Sequence, residues 1–405
     1  MHRPYVVKVQ YKHYIYEYGG WASSSPGSMT HDVYRLDLDT WVWSQVNTTG
    51  DIPTLARYLE DGIVYRDTLI VVGGLHMNGD DWGTDSHYHD TINALNLETF
   101  VWSTITPINT GPAATAFSSL QLYNGMLVMW GGRTYSGTEG STVFLDRNEV
   151  WALNLKSYTW TQVTSAPPFA FNAVAGSALY KDQFLRFGGE YAVLGHYRNE
   201  LYSLDLSSGS SNTGCVLQWQ HKALSGEVPN ARYEGVSAVT NDKMIVIGGY
   251  SGIRESTIYE IDLHTGQSSL VTTDPGGASL VGMSGSSGAQ WVGENDHTMI
   301  AIFGGYSTSR QDTLYILDTD DKILSMPTTS GDKPSARTYP GHHHTLTSLP
   351  FSMNMMMMMM MMMMMMIALT EPPLLPLSNH TFPTHRLITT TPPSSPHPAV
   401  YPSLL

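Results

Sequence analysis

Short apolar runs such as Thr68-Leu-Ile-Val-Val72 and Lys243-Met-Ile-Val-Ile247 recur along the chain, each closed by two glycines. The pairs are Gly19-Gly20, Gly73-Gly74, Gly131-Gly132, Gly188-Gly189, Gly248-Gly249 and Gly304-Gly305, at intervals of 54, 58, 57, 60 and 56 residues. Runs this short, β-branched and nearly all apolar predict a strand buried on both faces. Beyond each pair comes a polar stretch of variable length, then an alternating segment such as Asp32-Val-Tyr-Arg-Leu-Asp-Leu38. That period of two predicts a further strand, ending at an Asp or Asn: Asp37, Asn96, Asn154, Asp205, Asp262 and Asp318. Such residues cap turns by accepting backbone N–H groups. An aromatic stands three positions earlier in five units (Tyr34, Trp151, Tyr202, Tyr259, Tyr315), with Asn93 the exception.

Six residues after the Asp or Asn stands Trp43, Trp102 or Trp160, on a predicted outer strand. In the fourth unit a polar insertion at 207–214 pushes the tryptophan to Trp219, and units five and six carry Ser268 and Leu324 instead. Proline-bearing links, 52–57 and 228–232, lead to the first strand of the next unit. The segment Arg3-Pro-Tyr-Val-Val-Lys-Val9 already reads as a first strand. Repeats of this period predict an all-β propeller of six four-stranded blades, with seven the alternative for an untruncated form. The double-glycine, Tyr-x-x-Asp, Trp order resembles the kelch repeat over roughly residues 1–326.

The pattern then stops. Lys333-Pro-Ser-Ala-Arg337 opens what reads as a seventh unit, so the propeller region is taken as 1–349. No seventh glycine pair follows, and residues 350–405 hold twelve consecutive methionines, Met355 to Met366, and ten prolines. Such a tail is predicted to be disordered, and its apolar stretch 355–369 is too short to span a bilayer, which takes about 20 residues. It reads as a repeat expansion or an out-of-frame extension, which sequencing the transcript across Pro350 would test.

Composition narrows the partners. With 21 Lys and Arg against 35 Asp and Glu, the net charge of −14 argues against nucleic acid, which needs clustered cations. The single cysteine, Cys215, excludes an internal disulfide and favours a cytoplasmic protein; Asn47-Thr-Thr and Asn379-His-Thr would be glycosylation acceptors only in a secreted one. A monomeric ring without cofactor or membrane span, binding a protein partner, is the expectation.

In an antiparallel blade, the loop between strands two and three and the link to the next blade emerge at one end. That face is where a partner is expected. The loops are 21–29, 76–89, 133–147, 190–198, 250–254 and 306–310. Arginine and aromatic residues dominate interface energetics, so the candidate contacts are Arg57, Tyr58, Arg133, Arg198, Arg232, Tyr233, Arg254 and Arg310. The kelch resemblance implies acidic-peptide contacts at the matching positions Arg57, Arg133 and Arg232. The alternative for the link arginines is that they brace neighbouring blades.

The loop 76–90 holds four aspartates and, two residues apart, His87 and His89, which with Asp85 form a weak candidate metal site. A solvated acidic loop is the competing reading. No catalytic set emerges: the kelch-type enzyme galactose oxidase needs a Tyr–Cys crosslink, and Cys215 falls in the fourth-unit insertion, far from the expected channel. The iron-binding Glu, Asp, His run of the specifier proteins is missing, and Gly282, Gly285 and Gly288 lack the helix and lysine of a phosphate loop. The expectation is a non-enzymatic interaction scaffold, with a propeller enzyme or a metal- or carbohydrate-binding protein of the galactose oxidase-like class as the alternative.

Overall fold

In a computed structural model of the chain, residues 7–20, 29–77, 86–136, 143–164, 176–191, 196–207 and 217–336 are described. The tail from 350, Arg337 and Asp85 lie outside them. The described residues form six blades, each of four antiparallel strands taken in chain order; a separate two-stranded hairpin interrupts blades two and three, and blades one, two and five carry a further two-residue strand at the outer edge. Blade two runs Asp61–Tyr65, Thr68–Val72, Ile92–Asn96 and Val101–Ile105 from the axis outward. Blade five repeats it as Val236–Thr240, Lys243–Ile247, Ile258–Asp262 and Gln267–Leu270. The first described strand is Val7–Tyr11, and the predicted start near Arg3 lies outside the described residues. Among these residues no helix is long and apolar enough to cross a membrane.

Period-two patterning builds the core. In the second strand of blade two, Leu69 and Val71 pack with Val7, Val9, Tyr16 and Tyr18 of blade one, whereas Ile70 and Val72 pack with Leu120, Leu127 and Met129 of blade three. Both faces of each blade are thus consumed by its neighbours, which is why these strands read as continuous apolar runs. The predicted outer tryptophans Trp43, Trp102 and Trp160 are buried in the same interfaces, and Ser268 and Leu324 fill the equivalent inward position with no exposure.

The ring closes at six. Blade six, starting with Ser287–Val292, packs Ala301, Phe303 and Ile316 against Ile15, Leu36 and Trp43 of blade one. A two-residue strand repeats the closure in hydrogen bonds. After blade one, Thr49–Gly50 pairs in parallel with the outer strand of blade two; after blade four, Ser225–Gly226 does so with blade five. After blade six, Ser330–Gly331 pairs in the same way with Val42 and Trp43 of blade one. The link out of blade six therefore treats blade one as the next blade.

The Asp or Asn of each unit caps the turn before the outer strand. Asn96 Oδ1 accepts the N–H groups of Glu98 (2.9 Å) and Thr99 (2.8 Å), and Asp262 Oδ1 accepts those of His264 (3.0 Å) and Thr265 (2.7 Å). Asn96→Ala is expected to cost about 1 kcal/mol and Asn96→Asp almost nothing, measured by urea unfolding. Equal losses for the two would show that the cap contributes little.

Candidate interaction face

Each double glycine turns the chain out of its second strand with both residues at positive φ, from +61° at Gly248 to +119° at Gly189. The N–H of the second glycine then donates to the link entering the next blade: Gly20 to Arg57 O, Gly74 to Thr115 O, Gly189 to Arg232 O and Gly249 to Met283 O. One residue further on, that link bridges to its own blade, as Tyr58 with Leu75 and Tyr233 with Tyr250. Links and strand two-to-three loops therefore meet at one end of the ring, as the topology requires.

The structure places the link residues in the interior, where the bracing alternative puts them. Arg57 is 4% exposed, and its guanidinium donates to Gly73 O (2.9 Å), Thr91 Oγ1 (2.8 Å) and Asn93 Oδ1 (2.6 Å). Arg232 is fully buried and donates to Gly248 O and Thr257 Oγ1, both at 3.0 Å, with Glu255 at 3.7 Å. Both arginines tie a link to the first glycine of the blade it enters. They brace the ring, because a guanidinium spent on buried carbonyls has few donors left for a partner. Tyr58 and Tyr233 are buried in the apolar cluster beneath this face, with Leu59, Leu75 and Phe117. Arg133 is likewise buried, its Nε donating to Asp146 Oδ1 at 2.8 Å.

Three of the candidates reach the surface. Arg198 is exposed, 3.7 Å from Glu200. Arg254 and Arg310 are half-buried in matching short loops, where Tyr250 bridges Arg254 and Tyr306 bridges Arg310. The Arg254 guanidinium lies 4.3 Å from the Tyr306 ring centre and 5.8 Å from that of Tyr250, next to Ile253, which is 67% exposed. Blades two, three and four differ from the simple loops expected there. Leu75–Met77 pairs with Ser86–Tyr88, Arg133–Ser136 with Val143–Asp146, and the strands Gln183–Tyr191 and His196–Asp205 run on past a bulge at the glycines.

The histidines of the 76–90 loop differ in burial. His87 is exposed, whereas His89 is half-buried and its pKa falls to about 4 through burial and, secondarily, the charge of Arg57. Asp85 lies outside the described residues. Among those residues the His and Asp atoms that do converge are elsewhere, at His297, Asp318 and Asp321 on blade six. His297 stands two strands away from the two aspartates in sequence, which hides the cluster, although Asp321 replaces the Thr or Ser that all five other units carry at that step.

Comparison with known proteins gives one family. The KLHDC2/KLHL20/DRC7 Kelch-repeats domain matches residues 6–208 and 123–359. Host cell factor homolog hcf-1 of Caenorhabditis elegans is 25% identical over 271 residues, covering 60% of this chain and 33% of that protein. Acyl-CoA-binding domain-containing protein 4 of Arabidopsis thaliana is 23% identical over 76% of this chain and 44% of its own length. Kelch domain-containing protein 3 of Bos taurus is 23% identical over 54% of each. The chain thus spans about a quarter to a half of the curated relatives it matches. Among solved structures, that of YjhT superposes with a TM-score of 0.60 at 15% identity, over 81% of this chain and 98% of that one, a likeness of fold.

Proposed function

The chain belongs to the kelch-repeat family, and from that membership we propose that it is a non-enzymatic scaffold holding a protein partner on the face made by its strand two-to-three loops and links. The observation that carries the reading is the sector of blades five and six around Arg254. A cation stacked on two tyrosines beside a solvent-facing isoleucine combines the rigid aromatic area, the guanidinium fork and the apolar contact of interface hot spots. Braces such as Arg57 and Arg232 support it by fixing the loop roots, so less entropy is lost when a partner docks.

The test is capture from source-cell extract on the immobilised full chain, beside an Arg198→Glu/Arg254→Glu/Arg310→Glu variant whose melting temperature matches wild type. A stoichiometric protein retained by wild type and lost by the variant is the expected outcome. Retention of that same protein by the variant would place the contact off this face. Turnover of a small molecule by the purified chain would replace the scaffold with an enzyme.

A further inference from the structure

A ring of equivalent units carries its own internal control, because a feature required by the fold recurs in every blade. At the end of the ring opposite the proposed docking face, blade six departs from the others twice. The turns joining first and second strands have two residues in blades one to five, for example Lys12-His13 and Asn241-Asp242; in blade six the turn is the five-residue segment 293–297. The capped turn before the outer strand ends in Thr40, Thr99 or Thr265 in blades one, two and five, each hydroxyl donating to the capping Asp or Asn. Blade six has Asp321 there, and its backbone N–H alone serves the cap, donating to Asp318 Oδ1 at 3.0 Å.

The two departures meet. The longer turn delivers His297 Nδ1 to 2.9 Å from Asp318 Oδ2 and 3.7 Å from Asp321 Oδ2, and the three atoms lie within 4.8 Å of one another. Donors about 2.1 Å from a tetrahedral metal stand about 3.4 Å apart, a spacing these two distances bracket. The donors are also held from behind. Asp318 keeps its other oxygen on the turn, accepting the N–H groups of Asp320 and Asp321, and Asp320 Oδ2 accepts the N–H of Thr298 beside His297. Metal sites depend on such orienting contacts. From this geometry we infer that His297, Asp318 and Asp321 form a divalent-metal site for which one imidazole and two carboxylates select zinc over calcium or magnesium. With three protein donors, its fourth position opens toward the groove between blades six and one that Trp41 and Trp291 help to line.

Zinc binding to the EDTA-stripped full chain, followed by calorimetry and by the cobalt visible spectrum, tests the site against Asp321→Thr, which restores the residue of blades one, two and five. Other histidines contribute background equally to both proteins, so the difference is the readout. Wild type is expected to bind one equivalent more than the variant and to gain melting temperature on zinc addition, with the gain reversed by EDTA. Asp321→Thr should match wild type in EDTA and show no such gain; Asp321→Asn, closer in shape, serves should threonine disturb the turn. Equal stoichiometry and affinity in wild type and variant, or no zinc binding by wild type, overturns the site and leaves His297 as an ion-pair partner of the turn.

Discussion

Replacing Gly249 by valine is expected to destabilise the ring by about 3–5 kcal/mol, lowering its melting temperature by roughly 5 °C. Two causes add. Gly249 sits at φ +100°, outside the small left-handed region that L-residues tolerate, and a Cβ there would lie 2.8 Å from Tyr233 O. That oxygen cannot retreat, because it accepts the Tyr250 N–H at 2.7 Å in the bridge that fastens link to loop. Gly252→Val separates the causes: its φ is +104°, yet nothing lies within 4 Å of its Cβ position. That variant should lose only the dihedral part, about 1–2 kcal/mol. Gly248→Val falls between them, since φ +61° strains valine less than +100° does and its Cβ would stand 3.0 Å from Met283 O. A Gly249→Val melting temperature no lower than that of Gly252→Val would refute the clasp as a structural necessity.

Glu60→Gln should stabilise the protein in alkaline buffer and have little effect in acid. Glu60 is 1% exposed and fits against Gly19 and Gly74, with Arg57 as the nearby charge. Burial raises its pKa to about 8, only partly opposed by its own backbone N–H and by Arg57. The folded state therefore holds a proton that the unfolded chain, titrating near its model value of 4.5, has released. Stability from this group is complete below about pH 4.5 and is lost as pH rises through 8. Glutamine copies the neutral acid without titrating, so the gap between variant and wild type should widen from near zero at pH 4.5 to a few kcal/mol at pH 8. Asp61, raised to about 6 by burial despite accepting the N–H groups of Leu120 and Gly62, retains a smaller slope in both proteins. Urea unfolding across that range is the measurement. A variant no more stable than wild type at pH 8, or a gap that does not widen with pH, would show that Glu60 is ionised in the folded ring.

The sequence alone determined the blade. Alternation assigned the strands, the double glycines marked the exits to positive φ, and Asp37, Asn96 and their counterparts marked the capped turns, all conformations decided within a few residues of chain. Tertiary structure decided what depends on a neighbouring blade. Arg57 and Arg232 look like surface contacts in sequence because the carbonyls that bind them, Gly73 O and Gly248 O, belong to the blade ahead. Closure at six rests on Ser330–Gly331 finding Val42 and Trp43 at the other end of the ring, and no local pattern encodes that meeting. The same holds for His297 and Asp321, which two strands separate in sequence and the blade's antiparallel return brings to one carboxylate. Short-range dihedral preference and periodicity are written residue by residue, whereas inter-blade contacts exist only once the ring has fixed which surfaces face each other.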